Sequence, residues 1–275
     1  MSTRTVGRQW GRTAIGVVIV VVLLFPLYWM VNASLQPSGA LLKANPEWFP
    51  VHGTFAGYRE ALGSQAGHLL TSVLVALGTV VFSLLIAAPA AYALAQLRVR
   101  GATVVLFGLL IVQMIPGIVM ANSLYTVFSD LDLIDSYPAL ILADSTATIP
   151  FAILVLRAFM ISIPRELSES ARVDGAGHLR TFVSIIVPIS RNAMITAGLF
   201  SFLFAWADFL FGVTLTTGST IEPITVGIYK FIGNQTADWN GIMATAVLAS
   251  VPAAALLVIA QRHVVAGVTG GALKE

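Results

Sequence analysis

The chemically capable side chains of this sequence fall in a few places, the largest being residues 163–189. This stretch carries Arg165, Glu169, Arg172 and Arg180 inside an otherwise apolar second half. Leu167, Ala171, Ala176, Leu179, Phe182 and Ile186 recur between the charges at roughly helical spacing, so the segment reads as amphipathic. Asp174-Gly175 interrupts the pattern near its middle, where an Asp-Gly pair marks a turn between helices, and Pro188 sets the far end. The expectation is two short helices meeting at an angle on a membrane face. Such a piece offers a docking surface; a helix resting on lipid headgroups is the alternative.

The other polar positions are Asp144 and Asp208, which lie in or beside apolar runs, where a carboxylate is costly and marks function by default. They could bind ligand hydroxyls, carry protons, or hydrate at a boundary. The loop at 233–239, with Asn234 and Gln235, is polar enough to touch a ligand or an external partner; a hairpin with Trp239 as an interfacial anchor fits equally. Several chemistries have no residues to perform them. No GxxxxGK[ST] loop surrounds Lys43, Lys230 or Lys274, so this chain is not expected to hydrolyse ATP. His52, His68, His178 and His263 are scattered without metal-ligand spacing. No cysteine is present, which removes disulfides, thiolate metal sites and cysteine nucleophiles.

The elements that must position these residues are membrane spans. The chain is 57% hydrophobic and only 10% charged over 275 residues, with mean hydropathy +0.88, whereas an ordinary soluble domain is about 25% charged. Six spans are expected, at about 14–33, 69–97, 102–121, 139–160, 192–216 and 241–260. The first run is too long for a signal-peptide core and ends in Tyr28-Trp29, which suits a headgroup boundary. Residues 34–67 read as an ordered external loop, and 122–138 and 217–239 as further external loops. Ala87-Ala88-Pro89-Ala90-Ala91 should lie inside the bundle, since small residues let helices approach. Met114-Ile115-Pro116-Gly117 is a candidate break in the third span. Six spans place both termini on one side, and of the basic residues only Lys43, Arg59 and Lys230 then fall outside, as the positive-inside rule asks. The organisation expected is a cytoplasmic N-terminus at 1–13, a six-span domain at 14–261 and a cytoplasmic tail at 262–275.

Glu169-Ser170-Ala171, then Asp174-Gly175-Ala176, then Phe182, Ile185 and Pro188, resembles the EAA loop of binding-protein-dependent ABC importers, in particular the carbohydrate-uptake permeases. Ser170 stands where a second alanine is usual and keeps the side chain small. Pro26-Leu27-Tyr28-Trp29, Trp206-Ala207-Asp208-Phe209 and the glycine-rich stretch from Gly267 to Lys274 are also similar to that family. Ala207 departs from its usual asparagine. The tail resembles the shorter, MalG-like member of maltose-type permease pairs, a group that includes trehalose importers.

This resemblance implies an all-α integral membrane protein: six transmembrane helices in the type I ABC importer permease fold, with cytoplasmic coupling helices, in a bacterial inner or plasma membrane. It implies that Glu169, Ser170, Ala171, Asp174, Gly175 and Ala176 dock on a separate ATPase, with ATP and Mg held by the ATPase subunits and no cofactor bound by this chain. The implied partners are a second homologous permease, an ATPase dimer, an external sugar-binding protein and lipid, with no nucleic acid. The cargo would be a disaccharide or oligosaccharide, trehalose- or maltose-like. Asp208 would then meet sugar hydroxyls beside Trp206, Phe204 and Phe209, with Asp144 a second candidate, and Asn234 and Gln235 would face the binding protein. A proton-coupled secondary carrier using Asp144 and Asp208 is the alternative function, and a membrane scaffold is a third.

Overall fold

The computed structural model describes residues 3–37, 39–42, 47–218, 221–234 and 239–272. Among these, every regular element is helical. In chain order they are α1 (Thr3–Ser34), a 3₁₀ turn (Ala40–Leu42), α2 (Ala56–Gln96), α3 (Ala102–Val112), α4 (Gly117–Asp130), α5 (Tyr137–Met160), α6 (Arg165–Val173) and α7 (His178–Thr181). A π-helical turn (Phe182–Ile186) follows, then α8 (Val187–Ile189), α9 (Arg191–Ala207), α10 (Leu210–Leu215), α11 (Ile224–Asn234) and α12 (Trp239–Ala272). Four stretches are long and apolar enough to cross a membrane: Arg12–Ser34, Ala56–Gln96, Tyr137–Met160 and Trp239–Gln261. Two bent pairs bring the number to six if each is one span. Ala102–Val112 meets Gly117–Asp130 at 95°, and His178–Ile189 meets Arg191–Ala207 at 80°. The first bend is the break expected at Pro116, which has no N–H to donate, sits at ψ 134°, and pushes its predecessor out of the helical region.

Several helices run further than the sequence pattern suggests. Helix α2 begins at Ala56, inside the stretch read as an external loop, and its 41 residues make it about 61 Å long, twice the hydrocarbon thickness of about 30 Å. Its polar first turns are held by one small buried face, Ala61 and Gln65, four residues apart. Helix α4 continues past Ala121 to Asp130 because Ala121, Leu124 and Phe128 form one stripe packed in an apolar cluster with Phe211 and Leu215. Residues 217–239 are likewise not simply a loop. Helix α11 occupies Ile224–Asn234, buries Ile224 and Phe231, and has its first N–H capped by Ser72 Oγ at 2.8 Å. The tail is helical through Ala272, and Lys274 lies outside the described residues.

Two compact units divide the chain. The first comprises residues 1–66 and 228–251. Its loop after α1 is ordered by side chain to backbone bonds: Asn32 and Gln36 each donate to the Glu47 carbonyl, at 2.9 and 2.7 Å. Asn240 donates to the Ser34 carbonyl at 2.9 Å, and Gly57 passes so close to Asn240 that any Cβ would collide with it.

The second unit comprises residues 67–227 and 252–275 and holds both candidate sites. Helices α2 and α5 run parallel within it at a nearly constant sequence offset. Gly78 lies against Ile141, Ser83 Oγ bonds Thr148 Oγ1 at 2.7 Å, and Gln96 reaches the Met160 carbonyl at 2.7 Å. Ala87, Ala88, Ala91 and Ala95 form the buried face of α2 against Ala152, Leu156 and Met160, as the small-residue run requires; Pro89 points away. Helix α5 starts cleanly because Ser136 caps Ala139 N–H and Pro138 fits the first turn.

Candidate functional site

Residues 163–189 do form a helical corner. Helix α6 follows Pro164, carries Glu166 in its first turn and Arg172 in its last, and so places each charge where the helix dipole favours it. It ends in a Schellman motif: Gly175 takes φ +84°, its N–H bonds the Arg172 carbonyl at 3.1 Å, and Ala176 N–H bonds the Ala171 carbonyl at 2.9 Å. The six coupling residues expected from the sequence thus lie on one continuous corner. Ala171 is buried beneath it, while Glu169, Ser170 and Asp174 are exposed. Ser170 Oγ donates to the Glu166 carbonyl at 2.8 Å, so this hydroxyl is satisfied within its own helix. Pro188 lies one residue before the end of the second arm, and the π turn precedes it, where Val187 N–H bonds the Phe182 carbonyl five residues back. Val173 is 88% and Leu179 75% exposed, one on each arm.

The corner is tied to the membrane helices by packing and by hydrogen bonds: Phe182 meets Tyr92 of α2 with ring centroids 5.3 Å apart, and Ile163 and Ile186 are buried in the α2–α5 cluster. Gln96, at the end of α2, donates through Nε2 to both the Met160 and Ile163 carbonyls, at 2.7 and 3.0 Å. Those acceptors are the last residue of α5 and the residue before Pro164, so both ends of the connection are pinned to α2.

A second site is a cavity of about 350 Å³ lined by Gln113, Thr146, Phe151, Phe200, Phe204 and Asp208, among others. Phe151 and Phe200 meet edge to face with centroids 5.4 Å apart. Asp208 sits at the break between α9 and α10, where its Oδ2 accepts the Gly212 N–H at 3.0 Å and so caps α10, while its carbonyl accepts from Thr225 Oγ1 at 2.6 Å. Its primary local duty is therefore structural, with the cavity on one side. Phe204 is beside it as expected. Trp206 is not: it is buried and stacked on Phe202 at 5.6 Å, and neither it nor Phe209 lines the cavity. Asp144 is not among the lining residues; it is 2% exposed within α5, with Oδ1 unpartnered. Asn234 ends α11, and Gln235 lies outside the described residues.

Gln113, Phe151 and Phe200 escaped the sequence reading. Gln113 left one signal, a lone amide in an apolar run beside the Pro116 break. The two phenylalanines left none, because an aromatic on a cavity wall and one in a helix core look alike in sequence.

The family profile described as the inner membrane component of binding-protein-dependent transport systems matches residues 2–270. The chain belongs to that family. This permease is 32% identical over 272 residues to the diacetylchitobiose uptake system permease protein DasC of Streptomyces coelicolor, covering 98% of each chain. It is also 32% identical over 255 residues to the trehalose transport system permease protein SugB of Mycobacterium tuberculosis, covering 91% of this permease and 92% of that one. Its fold matches a chain of a bacterial ABC transporter involved in the import of the acidic polysaccharide alginate, with TM-score 0.82 at 20% identity over 95% and 98% of the two chains. The permease has the all-α type I ABC importer fold that the EAA-like segment led us to expect.

Proposed function

We propose that this permease forms half of the translocation pathway of an ATP-driven importer for a disaccharide or oligosaccharide, and that the corner at 163–189 couples it to a separate ATPase. The observation that carries the coupling role is the glycine-closed corner itself, which leaves Glu169 exposed on the same arm as the uncovered Val173, with Leu179 uncovered on the other arm. A carboxylate making charge-assisted bonds, flanked by apolar contacts, is suited to hold a partner in one register. Closure of an ATPase dimer would move α6 as a lever, and Gln96 would carry that movement to α2 and α5. ATP and Mg belong on the ATPase subunits. A second homologous permease and an external sugar-binding protein complete the assembly, and both termini face the cytoplasm, on the side to which the basic residues are biased.

The sugar reading is supported by the relatives, whose names specify diacetylchitobiose and trehalose, both disaccharides, and by the cavity at Phe151 and Phe200. Its apolar rings and the polar Gln113, Thr146 and Asp208 match a ligand with apolar faces and a rim of hydroxyls. Nothing in the family favours a proton-coupled carrier. The test is Glu169→Lys in the complete transporter reconstituted in proteoliposomes. The variant should insert in the membrane and leave sugar uptake and binding-protein-stimulated ATP hydrolysis at background. Wild-type uptake in that variant would remove Glu169 from the mechanism.

A further inference from the structure

The chain that leaves α1 does not simply run out into water. Trp48 lies against both Phe25 and Trp29, one helical turn apart on α1, with ring centroids 6.3 and 5.8 Å away, and Phe49 meets Tyr28 edge to face at 6.3 Å. The segment has folded back alongside the helix it just left. Helix α1 is apolar or aromatic without interruption from Ala14 to Val31 and turns polar at Asn32. At 1.5 Å per residue that run is about 27 Å long, close to the hydrocarbon thickness of about 30 Å. Trp29 and Phe25 lie about 3 and 9 Å before its end, so Trp48 sits level with the apolar run and not beyond it. None of the most apolar window of α1 is buried among the described residues. Trp48 and Phe49 remain 62% and 69% exposed in spite of their contacts with it.

The backbone of this segment carries a second, independent signature. Non-helical chain at membrane depth is tolerated only where the protein itself satisfies its polar groups. All four carbonyls from Glu47 to Pro50 have a donor within this chain. Glu47 accepts from the Asn32 and Gln36 amides, and Trp48 accepts from the Tyr28 hydroxyl. Phe49 accepts from Val51 N–H at 2.8 Å and Pro50 from Gly53 N–H at 3.1 Å. Pro50 also has no N–H of its own to satisfy. A loop in water has no need of such closure, because water supplies the donors. A protein laid over these residues would supply donors as well, yet no carbonyl from 47 to 50 is left waiting for one.

We propose that residues 47–51 are a lipid-facing wedge, with the uncovered faces of Trp48 and Phe49 seated among lipid at the boundary between acyl chains and headgroups, in the leaflet at the C-terminal end of α1. Aromatic side chains suit that layer, since their rings are apolar while the indole N–H can still meet a headgroup. The occupant is the bilayer itself, not a second protein. The connection between α1 and α2 is then anchored in the membrane at this point, and Trp48 and Phe49 are withdrawn from the surface open to an external binding protein. The inference rests on α1 crossing the membrane and on neither the coupling role nor the sugar reading.

The experiment uses the complete transporter in phosphatidylcholine nanodiscs. This chain has no cysteine, so a nitroxide attached at Phe49→Cys reports one position once the signal of the labelled complex without the substitution is subtracted. Collisions with oxygen, which concentrates in lipid, are compared with collisions with a water-soluble nickel chelate. A ratio of oxygen to chelate collisions above one is expected. A ratio below one places the residue in water, and low collision rates with both place it under another protein chain; either result overturns the proposal. The second measurement leaves the fold undisturbed: Trp48→Phe keeps an aromatic ring, and tryptophan emission is recorded in discs of phosphatidylcholine brominated on its acyl chains. Part of the quenching seen in wild type should be lost in Trp48→Phe. Equal quenching in the two proteins overturns the proposal, which requires both results.

Discussion

Gly175 concentrates the coupling hypothesis in one backbone torsion. Its φ of +84° lies in the left-handed region, and nothing stands within 4 Å of where a Cβ would project. A substitution there acts through the torsion alone and not through a clash. An L-residue forced into that region loses about 1–2 kcal/mol, and a β-branched residue suffers most. Gly175→Val should therefore shift the corner away from its closed form by a factor of about 5–30, while Gly175→Asn, which tolerates the left-handed region, should shift it far less. The assay is binding-protein-stimulated ATP hydrolysis and sugar uptake by the reconstituted transporter, with subunit association measured in parallel by copurification. Valine should uncouple the two activities or weaken ATPase association, and asparagine should stay close to wild type. Equal activity of the valine variant and wild type would show that the fixed corner is unnecessary; equal loss in both variants would mean that the glycine matters for another reason than its torsion.

Other variants probe the supports around the two sites. Asp208→Ala should remove the α10 cap and lower thermal stability by about 0.5–2 kcal/mol, whereas Asp208→Asn should retain it; if the asparagine variant is stable yet takes up sugar poorly, the carboxylate charge has a role in the pathway. Gln96→Leu removes the side-chain donor from the Ile163 carbonyl and leaves the Met160 carbonyl with only its 3.3 Å bond from Ile163 N–H, and should cost about 1–3 kcal/mol, measured as the thermal unfolding midpoint in detergent; an unchanged midpoint would mean the clamp is not stabilising. Asp135 accepts from Thr217 N–H, Thr217 Oγ1 and Gly218 N–H at 2.7, 2.8 and 2.8 Å, so Asp135→Ala should make the chain at Thr217-Gly218 more susceptible to limited proteolysis, and wild-type protection would dismiss the latch. Gly78→Leu must displace Ile141, whose Cδ1 is 2.4 Å from a Cβ built at that position, and should cost about 1–3 kcal/mol through overpacking; full stability would refute the close α2–α5 contact.

The legible parts of this protein were those written in local chemistry. Asp174-Gly175 announced a turn, Pro116 a break and the alanine run of α2 a tight helix contact, because each depends on residues a few positions apart. What escaped depends on distant partners. Residues 56–68 look like a polar loop until Ala61 and Gln65 find a buried face, and α11 looks like one until Ser72 caps it from far away in sequence. Asp208 was rightly marked as costly, but the chain around it gives no hint that the helix stops at Ala207 and that the carboxylate is needed to start the next one. Trp206 was drawn to the same site by sequence proximity alone; helical rotation turns it onto Phe202 instead.

The nearly constant offset between α2 and α5 has a consequence for how force would travel. From Gly78 to Gln96 the two helices hold one another at matched levels for about 27 Å, so they resist sliding and behave as a double-walled strut. The short stretch between that strut and α6 is held as well, since Gln96 bonds the carbonyls of Met160 and Ile163. On the coupling role proposed above, a stroke applied at the corner would be passed along this strut rather than dissipated, with Gln96 the residue at which it enters.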